Sequence, residues 1–211
     1  MNRADHQIDN LRQQLDTSLV IVISGPSGVG KDAILNRMKE KGYPFEFIVT
    51  ATTRKKRANE KDQVDYHFIS ENEFQVLLKQ NGLLEWAQVY GNWYGVPKAP
   101  VKQALIQHKD IIIKVDVQGA ATIKKILPEA LFIFVAPPSF EELSNRLTRR
   151  STESAADLQF RLQKASHEME QICNFDYVVM NHFQKVDKAI EQILAIITAE
   201  KCRVNPRKIS L

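Results

Sequence analysis

Cysteine is almost missing from this chain, which has two, Cys173 and Cys202, in 211 residues. That count excludes a disulfide framework, and no His/Cys spacing resembles a zinc site, so a reducing compartment is the simplest fit. Long apolar runs are missing too. The longest are of strand length, against the roughly 20 residues of a membrane helix, and no membrane partner is expected. The stretch 1–17 carries Asp5, Asp9 and Asp16 without an apolar core. It is expected to be a leader that is neither a secretory signal nor a transit peptide. A mature organellar chain would read the same, so the expected location is cytoplasmic, with a plant organelle, chloroplast or mitochondrion, as the alternative. Neither charge sign dominates: 29 Lys+Arg stand against 25 Asp+Glu, for a formal charge of +4. This suits a protein that handles small polyanions, and with no RNA or DNA module in the sequence nucleic acid is not an expected partner. The composition, 44% hydrophobic and 26% charged, is that of a globular chain able to build one sizeable core. A monomer and a homodimer are equally compatible with it.

What the chain does contain is a phosphate cradle. Gly25, Pro26, Ser27, Gly28, Val29, Gly30 and Lys31 spell G-x-x-x-x-G-K directly after the apolar run 18–24 and before the helical pattern 31–39. Glycines let the backbone turn with its N–H groups inward, the lysine supplies a point charge, and the following helix aims its positive end at the anion. The strand and helix on either side distinguish this match from a chance loop, and a nucleoside triphosphate is the expected ligand. The next position ordinarily holds a Ser or Thr whose hydroxyl binds Mg²⁺; here it is Asp32.

Hydrophobic periodicity gives an α/β frame whose strands, too uniformly apolar to face water, belong to a parallel sheet covered by helices. The frame is expected over 18–44 and 99–205. Its strands are read near 19–24, 111–117, 131–136 and 176–180. Its helices are read near 30–41, 101–108, up to 127, 140–150, 155–173 and 185–200. An insertion over 45–98 is read as short strands at 45–51, 65–69 and 84–90 with a helix near 71–80, and Trp86 and Trp93 are expected in its core. The polar break 151–154 suits a mobile lid of about 144–162, and the basic tail 206–211 is expected to fray or lie on the surface.

Several segments then occur in a fixed order: 23–31 with its glycines, Thr52-Thr53-Arg54-Lys55-Lys56-Arg57, Asp65-Tyr66-His67-Phe68, Glu85-Trp86-Ala87-Gln88, Gly91-Asn92-Trp93-Tyr94-Gly95, Asp116-Val117-Gln118-Gly119 and Ala136-Pro137-Pro138-Ser139. Together they resemble the guanylate kinase family over about 20–201, in motif most like its plant organellar and bacterial-type branch. The resemblance implies a three-layer P-loop nucleoside monophosphate kinase fold with an inserted GMP-binding subdomain and a helical lid. It also implies transfer of the γ-phosphoryl of Mg·ATP to GMP or dGMP, giving ADP and GDP in purine nucleotide metabolism.

Carried over residue by residue, the resemblance puts the loop 25–32 and Asn181 at ATP, and Thr50, Arg54, Arg57, Tyr66, Glu85, Tyr94 and Asp116 at GMP. It makes Lys31, Arg54, Arg146, Arg150 and Arg161 the catalytic cations. The chemistry agrees. Guanine offers donors at N1 and N2 and an acceptor at O6, which asks for a carboxylate and a hydroxyl. A phosphate dianion asks for guanidinium forks and phenols. Phosphoryl transfer needs alignment and charge neutralisation more than a general base.

Three positions depart from the family pattern. Val96 replaces a serine that helps read guanine, Asp32 replaces the metal-binding hydroxyl, and Lys114 replaces a carboxylate. The last two predict an exchange in which the acidic group moves from 114 to 32, with Asp32 as the metal ligand and Lys114 paired to it or to phosphate. Two other functions fit the pattern, a non-catalytic guanylate-kinase-like binding module and a P-loop kinase for another monophosphate.

Overall fold

Five largely apolar strands lie side by side in parallel. They are Val20–Ser24 (β1), Phe45–Ile48 (β2), Asp110–Lys114 (β7), Leu131–Ala136 (β8) and Tyr177–Met180 (β9), in the order β2-β7-β1-β8-β9. The computed structural model describes residues 17–211 except Asn59, Tyr90 and 151–154, and omits the side chains at 149–150 and 155–158. The leader up to residue 16 and the polar break expected within the lid lie outside the described residues. All of β1 and all of β8 are buried, as strands covered on both faces must be.

Alternation along the strands divides the core in two. Ile21 and Ile23 face Ile34, Leu35 and Met38 of α1 (Lys31–Glu40) and Ile190, Ile193 and Ile197 of α7 (Val186–Lys201). Val20 and Val22 face the opposite layer, with Val101 and Ala104 of α3 (Lys98–Ile106) and Ala120 and Ile123 of α4 (Val117–Ile126). The result is three layers, helices on either side of a parallel sheet.

The second sheet has four strands in the order β4-β3-β6-β5: His67–Phe68 (β4), Ala51–Thr52 (β3), Asn92–Pro97 (β6) and Leu83–Val89 (β5). The helix α2 (Glu71–Lys79) follows β4. It starts on a capping box in which Ser70 Oγ accepts from the Glu73 N–H and the Glu73 carboxylate accepts from the Ser70 N–H. Two further helices, α5 (Phe140–Arg150) and α6 (Ala155–Glu170), precede a 3₁₀ turn at Gln171–Asn174.

Four details differ from the sequence reading. The expected strand 45–51 is two strands in two sheets: Phe45–Ile48 pairs with β7 in the core sheet, and the chain crosses through Val49 and Thr50 to place Ala51–Thr52 beside β6. The strand β6 was not anticipated; Val89 pairs with Asn92 across a turn in which Gly91 takes a φ of 75°, open to glycine without strain. The strand expected to reach Val117 stops at Lys114, because Asp116 leaves extended pairing to cap α4, its carboxylate accepting from the Gly119 N–H at 2.8 Å. Trp86 is half exposed, its ring edge-on to Trp93, since it lies on the outward side of β5.

The tail is anchored. Arg207 donates through Nε to Glu200 at 2.7 Å and through a terminal nitrogen to the Ala130 carbonyl at 3.0 Å, with Asp176 at 3.3 Å. Glu200 is 2% exposed and also accepts from the Tyr177 hydroxyl. Removing one partner of a buried ion pair leaves the other charge uncompensated. Arg207→Ala should therefore cost about 3 kcal/mol in urea unfolding, whereas a loss below about 0.5 kcal/mol, the usual size of a surface substitution effect, would mean the tail contact is incidental.

Candidate active site

All five parallel strands deliver their carboxyl ends to one edge of the sheet, and four of them lead into residues singled out in the sequence. β1 runs into the glycine loop, β2 into Thr50, β7 into Lys114 and Asp116, and β9 into Asn181. Ligands of open α/β sheets bind at this edge. A cleft of about 740 Å³ lies there. Its walls include Ser27, Gly28, Lys31 and Asp32 from the loop side, and Thr50, Arg54, Arg57, Tyr66, Glu85 and Tyr94 from the second sheet. Lys114 and Asp116 stand between them, with Arg161, Lys164 and Glu168 from α6 on a further side.

The glycine loop is tightly packed. Gly25 has φ 139°, and a methyl there would lie 2.2 Å from the Val135 carbonyl oxygen, so only glycine fits. The Val29 carbonyl accepts from Asn181 Nδ2 at 2.8 Å and from Arg146 at 2.9 Å. Arg146 also donates to the Asn181 carbonyl and to Glu142. Lys31 donates to the carbonyls of Gly25 at 2.6 Å and Pro26 at 3.1 Å, and burial pulls its pKa below the usual lysine range.

Across the cleft, Arg54 grips Glu60 with two parallel contacts of 3.0 and 2.7 Å, donates to the Tyr94 hydroxyl at 3.2 Å, and lies over the Tyr66 and Phe68 rings. Arg57 is 70% exposed on the side chain and lies 4.0 Å from Glu60. Tyr66 and Tyr94 meet edge-on with centroids 5.9 Å apart.

Glu85 is 4% exposed, and among the described residues neither its Oε2 nor Asp116 Oδ2 beside it has a hydrogen-bond partner. Desolvation, with the Asp116 charge adding to it, pushes the Glu85 carboxyl up to about 8. A methyl on Gly119 would stand 3.0 Å from Glu85 Oε2, so glycine lets the start of α4 approach this carboxylate closely. Thr50 contacts the Lys114 carbonyl at 3.5 Å through its hydroxyl. Val96, in the β5–β6 pairing opposite Glu85, is fully buried in the core and brings only methyl groups to this region.

Most of the residues expected to act together are therefore gathered in one cleft. Arg146 and Asn181 instead hold the glycine loop from behind through the Val29 carbonyl. The Arg150 side chain lies outside the described residues. Two carboxylates were missed by the sequence reading. Glu60 holds Arg54, and Glu168 accepts from the Ser27 N–H of the glycine loop at 2.8 Å. The helical spacing of Arg161, Lys164 and Glu168, which puts all three on one face of α6, was the available signal.

Among the described residues no group of three or more His, Cys, Asp or Glu side chains is placed to hold a metal. The donor available for Mg²⁺ is Asp32, 60% exposed on the side chain and bound to Lys114 at 2.5 Å. One carboxylate with substrate phosphates and water is an ordinary Mg²⁺ set, so the residue fits the ion.

The raised Glu85 pKa makes a stability prediction. Between the unfolded carboxyl value near 4.5 and the folded value of about 8, the folded chain holds a proton that the unfolded chain has released. Stability therefore falls as pH rises through that window, by up to about 5 kcal/mol from this group. The melting temperature of Glu85→Gln relative to the unaltered chain should climb steadily from pH 5 to pH 8.5. A difference that stays flat across that range would show the carboxylate is not desolvated.

A sequence model of the family described as guanylate kinase matches residues 17–200. The chain is 45% identical over 190 residues to a guanylate kinase of Caldanaerobacter subterraneus subsp. tengcongensis, covering 90% of this chain and 91% of that protein. It is 43% identical over 194 residues to guanylate kinase 2, chloroplastic/mitochondrial, of Oryza sativa subsp. japonica, covering 92% and 68% respectively. The crystal structure of guanylate kinase from Anaplasma phagocytophilum is similar to this fold with a TM-score of 0.74 at 29% identity, over 89% of this chain and 88% of that one. A cleft that pairs a phosphate-binding loop with a buried carboxylate accords with these likenesses in sequence and fold, and the chain belongs to the guanylate kinase family.

Proposed function

We propose that the chain works as a guanylate kinase, an ATP:GMP phosphotransferase, with the glycine loop holding ATP and the second sheet holding GMP. The observation that carries the reading is the buried, unpartnered carboxylate of Glu85 facing the cleft, with Asp116 Oδ2 beside it. Buried acceptors without donors are costly, and guanine N1–H and N2–H₂ supply the donors they lack. Adenine, with an acceptor at N1 and no amino group at C2, could meet this group only through a single hydrogen bond from the protonated carboxyl, whereas guanine N1–H and N2–H₂ together engage the ionised carboxylate, which favours GMP over AMP. Thr50 serves O6, with Val96 unable to help. An intact Lys31 in a cleft with further cations argues for catalysis over a pure binding module.

Each group then has a task. The loop N–H groups and Lys31 hold the donor phosphates, while Arg54, Arg57, Tyr66 and Tyr94 hold the acceptor phosphate in line. Arg161, from the lid side, neutralises charge on the transferring group, and closure of α5 and α6 would exclude water and limit ATP hydrolysis. Asp32 would hold Mg²⁺, whose charge, when bound, offsets that of the phosphates. The acceptor part is taken as the second sheet with α2, and the bacterial relative fits the cytoplasmic reading.

Two measurements test this. Guanine binds the ionised carboxylate, while the free protein at pH 7 holds Glu85 mostly protonated. GMP binding at pH 7 should therefore release about one proton, visible as a dependence of calorimetric enthalpy on buffer ionisation; uptake, or no exchange, would contradict the assignment. Glu85→Gln should lose at least about a hundredfold in kcat/KM for GMP relative to AMP, since a site built to bond a donor rejects what cannot match it. Unchanged selectivity would remove Glu85 from the recognition of guanine.

A further inference from the structure

Lys114 stands at the end of β7, between the two halves of the cleft. Its ammonium donates to Asp32 on the loop side at 2.5 Å and to the Tyr66 hydroxyl on the acceptor side at 3.3 Å, and lies 4.4 Å from the Tyr66 ring centroid. Its side chain is 16% exposed, whereas that of Asp32 is 60% exposed. A lysine held by a largely hydrated carboxylate is replaceable in a way that one locked in a buried pair is not. The exposed carboxylate regains water when it lets go, while the ammonium stays lodged in the cleft wall and keeps its demand for an anion.

Two other donors of this cleft are also held by carboxylates. Arg54 is held by Glu60, and the Ser27 N–H of the glycine loop by Glu168, near enough to Lys31 to act on its charge. These carboxylates stand on the groups that phosphates need. Lys114 repeats the pattern at the junction of the two subsites, with Asp32 as its stand-in anion.

We infer that Lys114 is a phosphate-binding residue, exchanging Asp32 for the acceptor phosphate when the monophosphate enters beside Tyr66. The inference rests on the guanylate kinase reading for the identity of the acceptor. It assigns to Lys114 a contact with substrate that its place between Asp32 and Tyr66 makes available. An ammonium serves as a point charge beside the guanidinium fork of Arg54, and the flexible stem lets it follow the phosphate. Asp32 and the incoming phosphate compete for one cation, so GMP affinity is set against the Asp32–Lys114 contact.

Calorimetric titration with GMP and with guanosine, which lacks the phosphate, separates this contact from guanine recognition. Lys114→Gln should weaken GMP binding roughly ten- to a hundredfold, the size of a charge-assisted hydrogen bond, and leave guanosine unchanged. Lys114→Arg, which keeps the cation, should recover most of the affinity. Asp32→Asn should tighten GMP several-fold, again without effect on guanosine, an effect opposite in sign to anything a purely structural pair would give. Equal losses for GMP and guanosine in Lys114→Gln, or no loss for either, would overturn the inference and leave Lys114 as the structural partner of Asp32. Failure of the unaltered chain to bind GMP would overturn the functional reading itself, and the inference with it.

Discussion

The constraint on which the rest of this structure depends is the burial of charge at the carboxyl edge of a parallel sheet. Five parallel strands, the central ones buried on both faces, deliver their carboxyl ends to one side, and that side carries Lys31, Thr50, Lys114, Asp116 and Asn181. Low local dielectric strengthens every interaction there and penalises every group left alone. Lys31 meets the constraint with two backbone carbonyls, Lys114 with Asp32 and Tyr66, and Arg54 with Glu60. Glu85 does not meet it, and the free protein keeps that carboxyl protonated well above its usual range.

Recognition and resting-state stability are thus one problem. Carboxylates stand in for phosphates at three places in the cleft, through Glu60, Glu168 and Asp32, which keeps the cations paired without substrate. Each stand-in lowers the gain from binding phosphate, and each also holds its cation in place. The guanine side has no such stand-in. A small residue at Gly119 lets the helix start close over the carboxylate, and in the proposed acceptor site a guanine base would relieve the cost of the unpaired acceptors.

The order and type of the core elements were legible because the strands are continuous apolar runs and the helices have helical period. The glycine loop was legible as a motif with its strand and helix in place. The split of 45–51 was not, because strand propensity runs unbroken from Phe45 to Ala51 and only the pairing partners reveal that the chain changes sheets. The strand β6 escaped because Trp93, Tyr94 and Gly95 read as motif before they read as strand. Arg54, Tyr66, Glu85 and Asp116 were singled out by the family resemblance and stand together in the cleft, whereas Glu60 and Glu168 were not singled out, since a carboxylate in a charged loop or on an amphipathic helix looks like surface. Arg146 illustrates the opposite case. Its place in a family pattern suggested the reacting phosphate, and in the fold its terminal nitrogens bond the Val29 and Asn181 carbonyls and Glu142, a fact only three dimensions supply.

The central claim is that this cleft couples a triphosphate loop to a guanine-selective acceptor site. The most direct test is ADP production from ATP and Mg²⁺ with GMP, AMP, CMP and UMP offered separately to the full chain. The account predicts turnover with GMP alone or in large excess over the other three. Comparable turnover with AMP, or none with GMP despite folded protein, would contradict it.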